Sequence, residues 1–243
     1  MAKVFAATDA GRVRASNEDS VLSLPGVALV ADGMGGEAAG EVASGLAAHT
    51  IRVSLGEAVA PYTEETLRRA VEAANTAVYH EAQATPACAG MGTTVTLCAY
   101  QEAPADAGTK NVGVATYAHV GDSRLYLYRD GAMRQLTRDH SYVEELVARG
   151  TLTEAEARVH PKKNVLTRAV GTSETVKVDT GWLELFAGDI LLLATDGLTN
   201  MVTEEEIGKL LAEPGESPAD ALIAAANTAG GRDNVSAVVV IFP

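Results

Sequence analysis

The chain has 243 residues, 47% of them hydrophobic and 21% charged, which is enough apolar material for one large domain or two small ones. A formal net charge of −13 opposes nucleic-acid binding through phosphate neutralisation and disfavours anionic membrane surfaces. Two cysteines, Cys88 and Cys98, make no disulfide framework and no metal-type spacing, so buried thiols in a reducing compartment are expected. No charged-then-apolar leader opens the sequence and no apolar run approaches the ~18 residues that span a bilayer, so a soluble cytoplasmic protein is expected.

Lys3 to Thr8 is predicted as a first strand, closed by Asp9-Ala10-Gly11 and followed by a polar loop from Arg12 to Asp19. Ser20 to Leu24 and the run from Val27 are two further strands around the turn dipeptide Pro25-Gly26. If those two residues are the whole loop, Asp19 faces Asp32 with Cβ atoms ~5 Å apart, where like charges repel. Val27-Ala28-Leu29-Val30-Ala31 ends in Asp32, and Gly33-Met34-Gly35-Gly36 allows close backbone approach just beyond it. A carboxylate at the tip of a buried strand calls for a cation or a donor.

Ala38 to Val53 is alanine-rich and helical; a second helix starts at Pro61, with Thr63 as a cap before Glu64 and Glu65. Leu67, Ala70, Val71, Ala74, Ala77 and Val78 recur on one face of it up to about Ala84. From Gly92 the period becomes two. Thr94 to Tyr100, Asn111 to Val120 and Arg124 to Arg129 carry the Val, Thr and Tyr of strands, and Asp130-Gly131 is a hairpin signal. Gln101 to Lys110 is a surface loop. His140 to Gly171 holds helical pieces, Tyr142 to Arg149 and Thr153 to Arg158, and is predicted as a flap inserted in a single domain spanning 1–243. Strands at Thr175 to Leu185 and Ile190 to Ala194, helices at Glu204 to Ala212 and Pro218 to Ala229, and a strand from Val235 to Phe242 complete the chain. Strands follow strands and helices come in pairs, which predicts an α+β sandwich of two stacked, mainly antiparallel sheets flanked by helices.

Three further aspartates share the setting of the first pair. Leu191 to Gly197 repeats the order of apolar run, Asp196 and Gly; Asp122 lies between two strands; Asp233 immediately precedes the last one. Singly each is an ordinary turn residue, but four in one Asp/Gly context point to a shared site. Clustered Asp oxygens without Cys or His suit Mg²⁺ or Mn²⁺. Two such ions ~3.5–4 Å apart activate a bridging water for in-line displacement at phosphorus. Arg14, in the loop before Asp19, supplies a guanidinium for the phosphate, with Arg12 as its competitor.

The blocks Gly11-x-Val13-Arg14-x-x-Asn17-Glu18-Asp19, Ala31-Asp32-Gly33-Met34-Gly35-Gly36, Gly40-Glu41-Val42-Ala43-Ser44, Met91-Gly92-Thr93-Thr94, Val120-Gly121-Asp122-Ser123-Arg124, Thr195-Asp196-Gly197 and Arg232-Asp233-Asn234 together resemble the metal-dependent serine/threonine protein phosphatases of type 2C, in their bacterial form. The resemblance implies hydrolysis of phosphoserine and phosphothreonine by a water bridging two Mn²⁺ or Mg²⁺ ions. It implies that Asp32 bridges the ions, that Asp196 and Asp233 complete one shell, and that the Gly33 carbonyl serves the other. Asp122 joins a third, weaker site, Asp19 holds metal-bound water, and Arg14 binds phosphate. Residues 140–171 correspond to that family's flap. The expected partners are phosphorylated proteins, the substrates of a serine/threonine kinase, and a monomer is expected.

Eukaryotic members place a histidine two residues after the bridging Asp, where this chain has Met34; Glu37 stands where some bacterial relatives have His. His119, His140 and His160 are candidate proton donors by residue type alone. Gly33-x-Gly35-x-x-Ala38 matches a dinucleotide fingerprint, but Asp32 would face the pyrophosphate and no parallel strand follows. The acidic surface opposes a nuclease. A binding module on an inactive phosphatase scaffold is opposed by the presence of Asp32, Asp196, Asp233 and Arg14 in one chain.

Overall fold

The computed structural model describes residues 1–35, 39–56, 62–103, 111–213 and 215–243. Among the described residues, eleven strands form two sheets. The first has the order β1 (Lys3–Asp9), β11 (Val235–Ile241), β10 (Ile190–Ala194), β7 (Arg124–Arg129), β8 (Ala132–Gln135). The second has the order β2 (Asp19–Leu24), β3 (Val27–Met34), β5 (Val95–Glu102), β6 (Asn111–Val120), β9 (Asp179–Phe186), with the two-residue β4 (Gly92–Thr93) paired to the end of β3. Every pairing is antiparallel, as expected where strands follow strands without crossover helices.

Three apolar layers hold the sandwich together. Between the sheets, Ala28, Val30 and Cys98 of one meet Leu125, Leu191, Leu193 and Val238 of the other. Outside the second sheet lie α1 (Ala39–Gly56) and α2 (Glu64–Ala84), whose Ala43, Ala47, Ile51, Leu67 and Val71 cover Leu29 and Leu97. Outside the first lie α6 (Glu204–Ala212) and α7 (Pro218–Thr228), with Ile207, Leu211 and Leu222 over Leu192 and Val239. β10 and β11 are covered on both faces, which is why they are continuous apolar runs instead of alternating ones. The Asp130-Gly131 hairpin joins β7 to β8 with both residues at positive φ (52° and 79°), the backbone that its sequence favours.

Several bounds differ from expectation. Thr63 caps α2 through Thr66 and the helix starts at Glu64; Pro61, Ala38, Glu37 and most of the 101–110 loop lie outside the described residues. The strand expected from Thr175 begins only at Asp179. The cause is Asn75 on α2, whose Nδ2 donates to the carbonyls of Ser173 and Glu174 and whose Oδ1 accepts from the Gly171 amide. That segment is pinned to a helix instead of a neighbouring strand. The 140–171 stretch carries α3 (Tyr142–Ala148) and α4 (Glu154–Val159), capped by Ser141 and by a Thr153/Glu156 capping box. Its two ends are zipped together by Ser141 opposite Leu166 and by Thr167 donating to the His140 carbonyl. One short helix, α5 (Asp196–Thr199), has no helical period in the sequence.

Candidate active site

Strand register brings the aspartates to one rim. Asp19 pairs with Asp32 across the β2–β3 hairpin, the facing that a two-residue loop dictates. Arg124, just after Asp122, pairs with Ala194, just before Asp196, and Ala194 pairs with Ala237 near the start of β11, the strand that Asp233 precedes. A cavity of about 470 Å³ opens there, lined by Arg14, Asp32, Gly33, Asp122, Asp196 and Asp233. Asp19 is buried and does not line it.

Asp32 is gripped through its backbone. Its amide donates to Thr94 Oγ1 at 2.9 Å, and its carbonyl accepts from the Thr94 amide at 2.8 Å and from Thr93 Oγ1 at 2.9 Å. Thr94 Oγ1 in turn bonds Ser123 Oγ at 2.7 Å, beside Asp122. Gly33 has no room for a side chain, because a Cβ there would strike the Gly40 carbonyl. Asn200 Nδ2 donates to Asp196 Oδ2 at 2.9 Å from the far end of α5. Arg14 forks onto Asp233, with Nε 2.9 Å from Oδ1 and Nη2 2.9 Å from Oδ2. The predicted phosphate ligand is therefore in contact with a predicted metal ligand.

The cluster holds like charges in a poorly solvated place. Burial, then Asp19 and Asp196, push the Asp32 carboxyl well above the usual range. Burial raises Asp122 and Asp196 as well, with Asp196 within hydrogen-bonding reach of Asp32. Asp19 is pushed up to about 7 by burial, against the opposing hydrogen bonds of Ser236 and Thr195 to its Oδ2. Its Oδ1 has no hydrogen-bond partner. Mutually repelling carboxylates and an orphaned buried carboxylate oxygen fit hard divalent cations. Among the described residues no three His, Cys, Asp or Glu side chains close on one point, so ions held here would draw on backbone carbonyl and water as well.

None of the three candidate histidines lines the cavity. His119 is buried between Thr96 and the Arg138 carbonyl, and its pKa is lowered to about 3 by desolvation and by His140. His140 Nδ1 accepts from the Gly121 amide while Nε2 meets Asp179. His160 ends α4 and accepts from the Lys162 amide. Motif reading gave no role to Glu18, Thr94, Asn164, Thr167, Arg168, Thr172 and Asn234, which also line the cavity. Thr94 and Asn234 lie beside recognised motif residues, but nothing in the local sequence marks the flap residues.

A family model described as protein phosphatase 2C matches residues 9–231. The chain belongs to the protein phosphatase 2C family. It is 37% identical over 244 residues to the serine/threonine phosphatase stp of Listeria monocytogenes, covering 96% of this chain and 93% of that protein. It is 40% identical to the serine/threonine protein phosphatase PstP of Mycobacterium tuberculosis, over 96% of this chain but 44% of that longer protein. The crystal structure of the M. tuberculosis phosphatase superposes with a TM-score of 0.88 at 38% identity, covering 99% of this chain and 98% of that one. A structure of the PstP catalytic domain in complex with two manganese ions gives 0.87 at 37% identity, again over 99% and 98% of the two chains.

Proposed function

We propose that Asp32, Asp196 and Asp233 hold two divalent cations, Mn²⁺ or Mg²⁺, with the Gly33 carbonyl serving the second. Asp122 would contribute to a third, weaker site, and Asp19, across the hairpin from Asp32, would hold metal-bound water. The activity is the family's: the chain is a metal-dependent serine/threonine protein phosphatase, a hydrolase acting on phosphoproteins. When bound, such a pair of ions supplies a water nucleophile at neutral pH and neutralises charge on the phosphoryl oxygens. The chain's own residues do the rest. Arg14 offers a planar fork to two phosphoryl oxygens, while Thr93 and Thr94 fix the Asp32 backbone.

The observation that carries this reading is the convergence of Asp32, Asp122, Asp196, Asp233 and Arg14, from five separate segments, on one cavity. We take residues 1–243 as one catalytic unit with its flap at 140–171, working as a monomer. The relatives are named serine/threonine phosphatases of bacteria, which supports phosphorylated proteins as substrates; their phosphorylation by a serine/threonine kinase and a role in bacterial signalling are part of the same reading. The acidic charge and the lack, among the described residues, of any helix long and apolar enough to cross a membrane support action in the cytoplasm. The test is hydrolysis of a phosphothreonine peptide with and without Mn²⁺. Wild type is expected to be Mn²⁺-dependent and Asp32→Asn inactive, since a neutral amide is a far weaker ligand for hard divalent cations than a carboxylate; wild-type turnover by Asp32→Asn would remove Asp32 from the centre.

A further inference from the structure

Asn234 borders the catalytic cavity and is 5% exposed, yet its side-chain amide is committed to the loop between β1 and β2 that carries Arg14. Nδ2 donates to the Ala10 carbonyl at 3.1 Å and to the Ser16 carbonyl at 2.7 Å, and Oδ1 accepts from the Glu18 amide at 2.9 Å. One side chain thus satisfies backbone groups at the start, near the end and at the exit of a loop that has no ladder of its own. The same loop lies backbone to backbone against the segment before Asn234. Arg12 donates its amide to the Gly231 carbonyl at 2.6 Å. Gly11 has a φ of +81°, and a Cβ there would strike the Asp233 carbonyl; a Cβ on Gly231 would lie 2.9 Å from the Arg12 nitrogen.

We propose that Asn234 is the positioning residue of Arg14: it sets the path of residues 10–18 so that the guanidinium stands at the cavity beside Asp233, and it acts on phosphate affinity through Arg14. The proposal rests on the reading of Arg14 as the phosphate ligand. No other described side chain bonds the loop backbone at more than one of these three points. Without it the loop keeps the Arg12 contact near one end and, at the other, the Asn17–Thr8 bond and the bonds of the Glu18 carbonyl to Ser44 Oγ and the Gly33 amide. The Ala10 and Ser16 carbonyls and the Glu18 amide, on either side of Arg14, lose their side-chain partner.

A double-mutant cycle on the metal-loaded enzyme tests this, with p-nitrophenyl phosphate as substrate and inorganic phosphate as competitive inhibitor. Arg14→Ala alone checks the parent reading: a roughly ten- to hundredfold loss in kcat/KM is expected from removing a charged hydrogen bond, and no loss refutes that reading whatever Asn234 does. Asn234→Ala is expected to lower kcat/KM about tenfold, chiefly through KM, and to weaken phosphate inhibition in step. In the Arg14→Ala background the same substitution should change little, and the Mn²⁺ titration midpoint should stay put. Trypsin should cut the metal-free variant faster after Arg12 and Arg14. Asn234→Ser, which offers one shorter polar group in place of the amide, is the fallback if the alanine variant folds poorly and is expected to lie between. A full Asn234→Ala effect that persists without Arg14, or a shifted Mn²⁺ midpoint, would overturn the proposal and place Asn234 behind Asp233 instead.

Discussion

At Asp233 the Arg14 guanidinium engages both carboxylate oxygens, and the backbone N–H of Asn234 donates to Oδ1 as well. Hydrogen bonding to Asp233 and its negative charge raise the Arg14 pKa, so the guanidinium stays charged at any working pH. The same planar geometry that fits a carboxylate fits two phosphoryl oxygens, and an ammonium matches neither in the same way. Arg14→Lys is therefore expected to retain more phosphatase activity than Arg14→Ala while staying below wild type. Steady-state kinetics on a phosphopeptide should show the deficit in KM before kcat. Equal KM for Arg14→Lys and wild type would mean that only the charge matters.

At the scale of elements, the return of the flap is governed by one residue on a distant helix. Asn75 is buried on α2 and bonds the Gly171 amide and two carbonyls beyond it. Removing it leaves the buried Gly171 amide unpaired, at ~1–3 kcal/mol, while the Ser173 and Glu174 carbonyls, on exposed residues, can turn to water. Asn75→Ala should lower stability by about 1–3 kcal/mol, measured by urea unfolding, and should speed amide exchange over 171–174. Rates confined to wild-type values there would show that the segment is held elsewhere. This contact also marks the limit of sequence reading. Helix α2, strand β6 and the β2–β3 register were legible because a Thr cap, periodicity and a two-residue turn are local signals. The misplaced start of β9 was not, since its partner lies nearly a hundred residues away. The site divides the same way: the rim aspartates stand in a repeated Asp/Gly context and in family motifs, whereas Arg168 and Thr172 reach the cavity only through the fold of the flap.

For the whole molecule, a cluster of buried acids makes stability depend on pH and on cations together. Asp19 titrates near 7 in the folded chain against an ordinary 3.8, and Asp32, Asp122 and Asp196 are raised too. The folded state then binds more protons than the unfolded one between those values, so stability falls as pH rises through that window. His119 works in the opposite sense at the acid end: lowered from 6.5 to about 3, it removes stability as pH falls through that range. In chelator, the melting temperature is expected to decline by several degrees from pH 5 to pH 8. Saturating Mn²⁺ should abolish the decline, because cations bound at the cluster stabilise the charged form. A melting temperature insensitive to pH in chelator would contradict the burial of these charges.

Asp32 belongs to one sheet, while Asp196 follows β10 and Asp233 precedes β11, two inner strands of the other, so the distance between them is set by the grease that separates the two plates. Leu193 and Val30, in that layer, touch no reacting atom but act as spacers, calibrating a gap that ions and phosphate must fit. Misplacement by ~1 Å can cost roughly a hundredfold in rate, and Leu→Ala in a core costs ~2–5 kcal/mol by cavity formation. Two leucines of the same chain allow a controlled comparison: Leu193 between the sheets and Leu211 under α6. At equal loss of stability, Leu193→Ala should depress kcat well below Leu211→Ala, measured at a temperature where both remain folded. Parallel losses would mean that the plates do not slide. If the difference holds, catalytic rate can be tuned by substitutions that no map of the cavity would include.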